Sequence, residues 1–106
     1  MSDSILTLSL DNKSGETLEL QRVASNPNLT WQQQPEKQLT EKATLSASLD
    51  LQGHANVRVE LSYAASANWS LDLVIEDHKV VSHNANYITL SSGDSLKVTG
   101  SFDSRF

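Results

Sequence analysis

Hydrophobic and polar residues alternate along most of the chain, and this pattern predicts β-strands. The strictest stretch covers residues 43–51, where every second residue is Ala or Leu and the residues between are Thr, Ser or Asp. Because successive side chains of a strand point to opposite faces of a sheet, this stretch has one apolar and one polar face. The same pattern predicts seven further strands, over residues 6–10, 18–21, 57–63, 69–75, 80–81, 87–90 and 96–102.

A helix is the alternative interpretation of residues 38–51. Four apolar residues recur there at every fourth position, namely Leu39, Ala43, Ala47 and Leu51. A helix would place Leu45 and Leu49 on a different face from those four. A strand instead buries all five alternating apolar residues of 43–51 together, so we predict a strand.

Turn residues separate the predicted strands at intervals of about 8–12 residues, which is typical of all-β domains. A loop containing Gly15 follows the first strand and predicts that the first two strands form a hairpin. Residues 25–38 form the one long irregular connection, which is either functional or a crossover between sheets. About eight short antiparallel strands with one apolar face predict an antiparallel β-sandwich, with a small barrel as the alternative, in a single domain over residues 1–106.

Composition and charge limit the classes of molecule that the protein is expected to bind. The chain has 106 residues and a net charge of −5, and its eight basic residues are scattered singly. Proteins that bind nucleic acid gain much of their affinity from clustered Lys and Arg, so we expect no nucleic-acid partner. The chain has no cysteine, no apolar run of the roughly 20 residues that cross a bilayer, and no basic and apolar signal segment. We therefore expect a cytoplasmic protein, or one exported without an N-terminal signal peptide, whose sequons at Asn12, Asn28 and Asn68 are unmodified.

Residue types that carry out catalysis or bind metals are present without a recognisable motif. His78 and His83 flank the predicted strand 80–81, and their odd separation places them on opposite faces of a strand. No serine lies in a nucleophile motif, and no glycine pattern fits a phosphate loop. We predict no catalytic residue, no metal site and no cofactor. A calcium site at Glu76 and Asp77, completed by Asp94 or Asp50, is the alternative to solvated turn acids.

Four aromatic residues are the candidate ligand-binding residues. They lie in or beside the predicted loops: Trp31, Tyr63, Trp69 and Tyr87. An aromatic ring at a loop rim offers a flat apolar face and a polar edge, which suits a sugar or a lipid headgroup. For Tyr63 and Trp69 the alternative is that both fill the core, because each continues an alternating apolar set. A buried position is the alternative for Trp31 as well, although its loop offers fewer reasons to hide it.

The first half of the chain resembles a known family. An opening strand leads into Asn12-x-Ser14-Gly15, a Leu-x-Leu strand follows, then Trp31 and Pro35, and finally a strand ending at Tyr63. In this order the chain resembles the aegerolysins, small acidic β-sandwich proteins related in fold to the actinoporin-like cytolysins. The resemblance implies binding to sphingolipid-type headgroups of membranes, sometimes with a perforin-like partner, and it implies headgroup-facing roles for Trp31 and Tyr63.

Two functional hypotheses follow from these patterns. The first is a non-enzymatic binding module that recognises a lipid headgroup or a glycan through loops at one end of the sandwich. The second is a protein-interaction or structural module, including a homo-oligomer, that acts through a sheet edge or an exposed face. The second is motivated by the weakly charged outward face of Thr44, Ser46 and Ser48, which does little to discourage edge pairing. An enzyme is the least favoured class.

Overall fold

The computed structural model describes residues 5–91 and 96–104, and within them the chain is all-β. The ten strands are β1 (Ile5–Asn12), β2 (Leu18–Asn26), β3 (Trp31–Gln33), β4 (Gln38–Leu39), β5 (Thr44–Asp50), β6 (Val57–Ala64), β7 (Asn68–Glu76), β8 (Lys79–Asn86), β9 (Ile88–Ser91) and β10 (Lys97–Phe102). The described part of the chain holds no helix with the length and apolarity needed to cross a membrane.

The strands form two five-stranded sheets. In sheet A the order is β3-β5-β1-β10-β9, and in sheet B it is β4-β2-β6-β7-β8. All pairs are antiparallel except β1 and β10, which run parallel. The predicted β-sandwich is confirmed, and the strand prediction for residues 43–51 is confirmed by β5.

The core lies between the sheets and consists of the apolar members of the alternating sets. Leu6, Leu8 and Leu10 of β1 are fully buried, and Leu45, Ala47 and Leu49 of the neighbouring β5 face the same side. Leucines and valines of β6 and β7 cover them from sheet B. Burying one such side chain contributes about 1.5–3 kcal/mol, so these rows are the main source of stability.

The prediction of a hairpin between the first two strands is wrong. β1 pairs with β5 and β10 in sheet A, whereas β2 pairs with β4 and β6 in sheet B. The loop after β1 carries the chain from one sheet to the other. Alternation fixes which face of a strand is buried, but it does not fix which strand lies beside it.

The irregular connection over residues 25–38 proves to be a crossover between sheets. β2 extends to Asn26 in sheet B, β3 joins sheet A, and β4 returns to sheet B. β3 and β4 are three and two residues long, too short for alternation to reveal them. The short strand predicted at residues 80–81 is β8, which has eight residues.

Gly100 allows β9 to approach β10 closely. It pairs with Leu90 in the register of the two strands. A Cβ atom at this position would collide with the backbone carbonyl oxygen of Thr89 and press on Leu10. The edge of sheet A therefore depends on a residue without a side chain at position 100.

Candidate functional site

The structure places two of the four candidate aromatic residues in the core. Tyr63 and Trp69 are fully buried and pair directly across β6 and β7. The Trp69 indole N–H donates to the Asp103 carbonyl oxygen at 2.7 Å, and the Tyr63 hydroxyl donates to the Glu36 carbonyl oxygen. The Tyr63 ring also meets Phe102 edge to face at 5.4 Å. Both residues fit the core alternative, and neither ring offers a surface to a ligand in this fold.

The other two candidates, Trp31 and Tyr87, are far apart. Trp31 lies in edge strand β3 opposite Leu49, and its partly buried ring packs against the core. Tyr87 is 47% exposed and directly precedes β9, at the opposite edge of sheet A. The strand register pairs Leu49 with Leu6, near the start of β1. It pairs the start of β9 with Phe102, which lies next to the end of β1. Six residues of strand, about 20 Å, therefore separate the two aromatic residues along β1 alone, and they do not form one site.

The histidines and turn acids do not assemble into a metal centre in the described ranges. No group of three or more His, Asp or Glu side chains there is placed to hold a metal ion. His83 lies inside β8 and not in a loop, and His78 lies in the tight turn before that strand. Asp94, one of the acids considered for calcium, lies outside the described residues.

Asn12 forms a polar cluster between the sheets that the sequence analysis did not find. Its side-chain N–H groups donate to the carbonyl oxygens of Glu16, Leu39 and Thr40 at 2.8–3.1 Å. Its amide oxygen accepts hydrogen bonds from the backbone and the hydroxyl of Ser14. Asn12 is 2% exposed, so its sequon is closed to modification and its role is structural.

The surface with the chemistry of a binding site is a groove on the outer face of sheet B, which we call the sheet B groove. It has a volume of about 380 Å³ and crosses β2, β6, β7 and β8. Its polar side chains form two rows across the strands. The first row holds Arg22, Ser62, Ser70 and Asn86, and the second holds Glu60, Asp72 and Asn84.

Alternation explains why these polar side chains share one face. Leu61 and Leu71 point into the core, so their neighbours on β6 and β7 point outward. Three spacings between adjacent strands give the groove a length of about 14 Å. It is therefore an open, shallow surface and not an enclosed pocket.

The charges of this face neutralise one another. The Arg22 Nε atom lies 3.0 Å from Glu60 Oε2, and Arg58 binds Asp72 through two hydrogen bonds of 2.6 and 3.1 Å. The hydrogen bond to Asp72 and its charge raise the pKa of the Arg58 guanidinium above its ordinary value. On this face two cations thus pair with two anions, with Arg58 just outside the lining of the groove, so both carboxylates of the groove are engaged in ion pairs.

The sequence contained part of the signal for this groove. Ser62 and Ser70 belong to the polar sets of two strictly alternating runs. If the turn between these runs is placed correctly, a hairpin of β6 and β7 brings Ser62 beside Ser70. The neighbours from β2 and β8 carried no such signal. Comparison with protein-family models and with curated proteins found no match for this chain.

Proposed function

We propose that this protein is a non-enzymatic binding module that recognises a neutral glycan, free or as the headgroup of a lipid, in the sheet B groove. The single observation that carries the proposal is a hydrogen-bonding surface across four strands whose two carboxylates are both paired with arginines of the same face. The site thereby moves from the end loops, where we expected it, to the face of a sheet.

The electrostatics of the groove favour an uncharged ligand. Arg22 and Arg58 already pair with Glu60 and Asp72, so an anionic or cationic ligand would compete with these ion pairs for the same groups. Hydroxyl groups of a sugar can donate to the carboxylate oxygens and accept from guanidinium and amide N–H groups without disturbing those pairs. A polyhydroxylated molecule therefore matches the chemistry better than a phosphate or an ammonium group does.

The side chains that reach outward into the groove favour a ligand with many hydrogen-bonding groups. Its side chains are hydroxyl, amide, carboxylate and guanidinium groups, and its apolar members, Leu61, Leu71 and Ala85, belong to the inward-facing positions of the strands. The length of about 14 Å suits a short oligosaccharide lying across the strands. The resemblance to aegerolysins extends the proposal to sphingolipids whose headgroup is a neutral sugar.

The test separates a free glycan from a lipid headgroup. The protein is applied to an array of neutral and acidic oligosaccharides, and to phosphatidylcholine vesicles with a neutral glycosphingolipid, with sphingomyelin or with no addition. We expect retention on neutral oligosaccharides, on glycosphingolipid vesicles or on both. Retention on sphingomyelin alone would overturn the glycan proposal in favour of a phosphorylated headgroup, and retention on none would overturn it altogether.

Substitutions in the sheet B groove test whether it is the binding site. Replacing Ser70 and Asn84 together by Ala removes hydrogen-bonding groups from both rows, and we expect affinity for the bound oligosaccharide to fall tenfold or more. The control is Asn28→Ala, an exposed amide in the crossover between β2 and β3, which should leave affinity unchanged. Equal affinity of all three proteins in calorimetry would exclude the sheet B groove.

A protein-interaction module that acts through a sheet edge is the second candidate function. The observation that favours it is β8, which forms an edge of sheet B over eight residues. Edge strands carry unpaired backbone groups and can pair with another chain.

A further inference from the structure

A second, smaller cavity, which we call the β2 cavity, adjoins the sheet B groove along β2 and β6. It has a volume of about 240 Å³ and is lined by Arg22, Ala24, Ser25, Asn26, Arg58 and Glu60. Arg22 and Glu60 line both cavities, so the two cavities meet at the ion pair between these residues. The sheet B groove crosses the strands, whereas the β2 cavity follows β2 from Arg22 to Asn26, over about 13 Å.

The β2 cavity opens on the same face of sheet B as the groove. Val59 of β6 is buried, so its neighbours Arg58 and Glu60 point outward. In the register of β2 and β6, Ala24 lies opposite Glu60 and Asn26 lies opposite Arg58. Directly opposed residues share a face of the sheet, so Ala24 and Asn26 point outward as well. The β2 cavity is therefore a continuation of the sheet B groove in a second direction.

The β2 cavity is rich in hydrogen-bond donors. A guanidinium carries five N–H groups. Among the described residues, Arg22 uses only its Nε hydrogen, toward Glu60, and Arg58 uses Nε and Nη2, toward Asp72. The side chains of Arg22 and Arg58 are 66% and 56% exposed, so their remaining N–H groups are accessible to a ligand. The exposed amide of Asn26 adds further donors.

The carboxylate of the β2 cavity, in contrast, is already engaged. Glu60 Oε2 lies 3.0 Å from Arg22 Nε, and Glu60 Oε1 lies 3.8 Å from Arg58 Nε. Ala24, which is partly exposed, supplies a small apolar surface beside these charged groups. The group that matches this arrangement is a neutral acceptor oxygen with a methyl group beside it.

We propose that the β2 cavity binds the acetamido group of an N-acetylhexosamine unit within the neutral glycan of the sheet B groove, an inference that rests on the proposed function of that groove. The acetamido carbonyl oxygen accepts from the N–H groups of Arg22 or Arg58, and the methyl group packs on Ala24. Because the acetamido group is uncharged, Glu60 and Asp72 keep their ion pairs. A hydroxyl group in the same place offers no methyl group to Ala24 and is a weaker acceptor than an amide carbonyl.

Two neutral tetrasaccharides test the inference. Tetra-N-acetylchitotetraose and cellotetraose share one backbone of β-linked units, but the first carries acetamido groups where the second carries hydroxyl groups. We expect the acetylated tetramer to bind tenfold more tightly or better in calorimetry. The corresponding tetramer of glucuronic acid should bind more weakly than the acetylated one, because its carboxylates compete with Glu60 and Asp72 for the arginines.

Asn26→Asp tests whether the β2 cavity is the origin of this preference. A carboxylate opposite Arg58 engages the N–H groups that the acetamido carbonyl needs. We expect N26D to bind the acetylated tetramer no more tightly than cellotetraose. Its affinity for cellotetraose should be unchanged, because Asn26 does not line the sheet B groove. N28D is the matched control, since Asn28 is exposed and lines neither cavity, and it should alter neither affinity.

Ala24→Leu fills the β2 cavity without adding a charge and should abolish the preference in the same way. Equal affinity of the unaltered protein for the two neutral tetramers would overturn the inference, as would tighter binding of the glucuronic acid tetramer. So would binding confined to glycans without an acetamido group, or a preference that survives in both N26D and A24L. Failure to bind any neutral oligosaccharide would instead overturn the proposed function of the sheet B groove.

Discussion

Asn12 is the residue that ties the two sheets together at one end of the sandwich. Its amide satisfies three carbonyl groups from Glu16, Leu39 and Thr40, two of which lie 27 and 28 positions away in the sequence. In the sequence Asn12 is recognisable only as a turn residue. No neighbouring residue indicates that the chain comes back to Asn12 after the crossover between the sheets. A buried polar contact of this kind becomes visible only with the tertiary fold.

Removal of the Asn12 amide should destabilise the protein strongly. Asn12→Ala removes five hydrogen bonds made by one buried side chain, at about 0.5–1.5 kcal/mol each, so we expect a loss of about 2–4 kcal/mol. Urea denaturation measures it. Asn28→Ala, at an exposed asparagine, should change the free energy of unfolding by less than about 0.5 kcal/mol. A similar small change for both variants would contradict the structural role of Asn12.

Tyr63 should make stability depend on alkaline pH. Burial, and secondarily the charge of Glu36, raises the pKa of its phenol above the ordinary value of about 10. The neutral phenol is therefore favoured in the folded state, and its contribution is complete below about pH 10 and declines as pH rises above that value. We expect the free energy of unfolding to fall from pH 10 to pH 12 in urea titrations.

Tyr63→Phe is the matched variant for this pH dependence. It should lower stability by about 1 kcal/mol at neutral pH, because the hydrogen bond to the Glu36 carbonyl oxygen is lost. It should also make the decline above pH 10 shallower, since the buried phenol no longer titrates. An identical decline in both proteins would mean that the buried phenol is not the source of the alkaline effect.

At the level of strands, alternation correctly predicted which face of a strand is buried, but it poorly predicted which strands pair with each other. The apolar sets of β5, β6 and β7 are buried as expected, because a period of two leaves no other way to hide three or four apolar side chains of one strand at once. The partner of β1 could not be predicted in this way. Its neighbours β5 and β10 are distant in sequence, and one of them runs parallel.

Two adjacent residues of β7, one buried and one facing outward, should differ widely in how far the same substitution lowers the free energy of unfolding. Leu73 is fully buried and Val74 points outward beside Arg58. Leu73→Asp places a carboxylate in the core, and we expect a loss above about 4 kcal/mol, enough to unfold a domain of ordinary stability. Val74→Asp should leave the protein folded. Circular dichroism and denaturation distinguish the two, and comparable losses would mean that the face assignment of β7 is wrong.

At the scale of the whole molecule, the sheet B groove and the β8 edge are neighbours that use different atoms. The groove uses outward side chains of four strands, including Asn84 and Asn86 of β8, whereas edge pairing uses the backbone of β8. The alternating pattern and the aromatic residues motivated two hypotheses, a ligand site and a sheet edge. These patterns did not place them, since both depend on β8 standing last in sheet B.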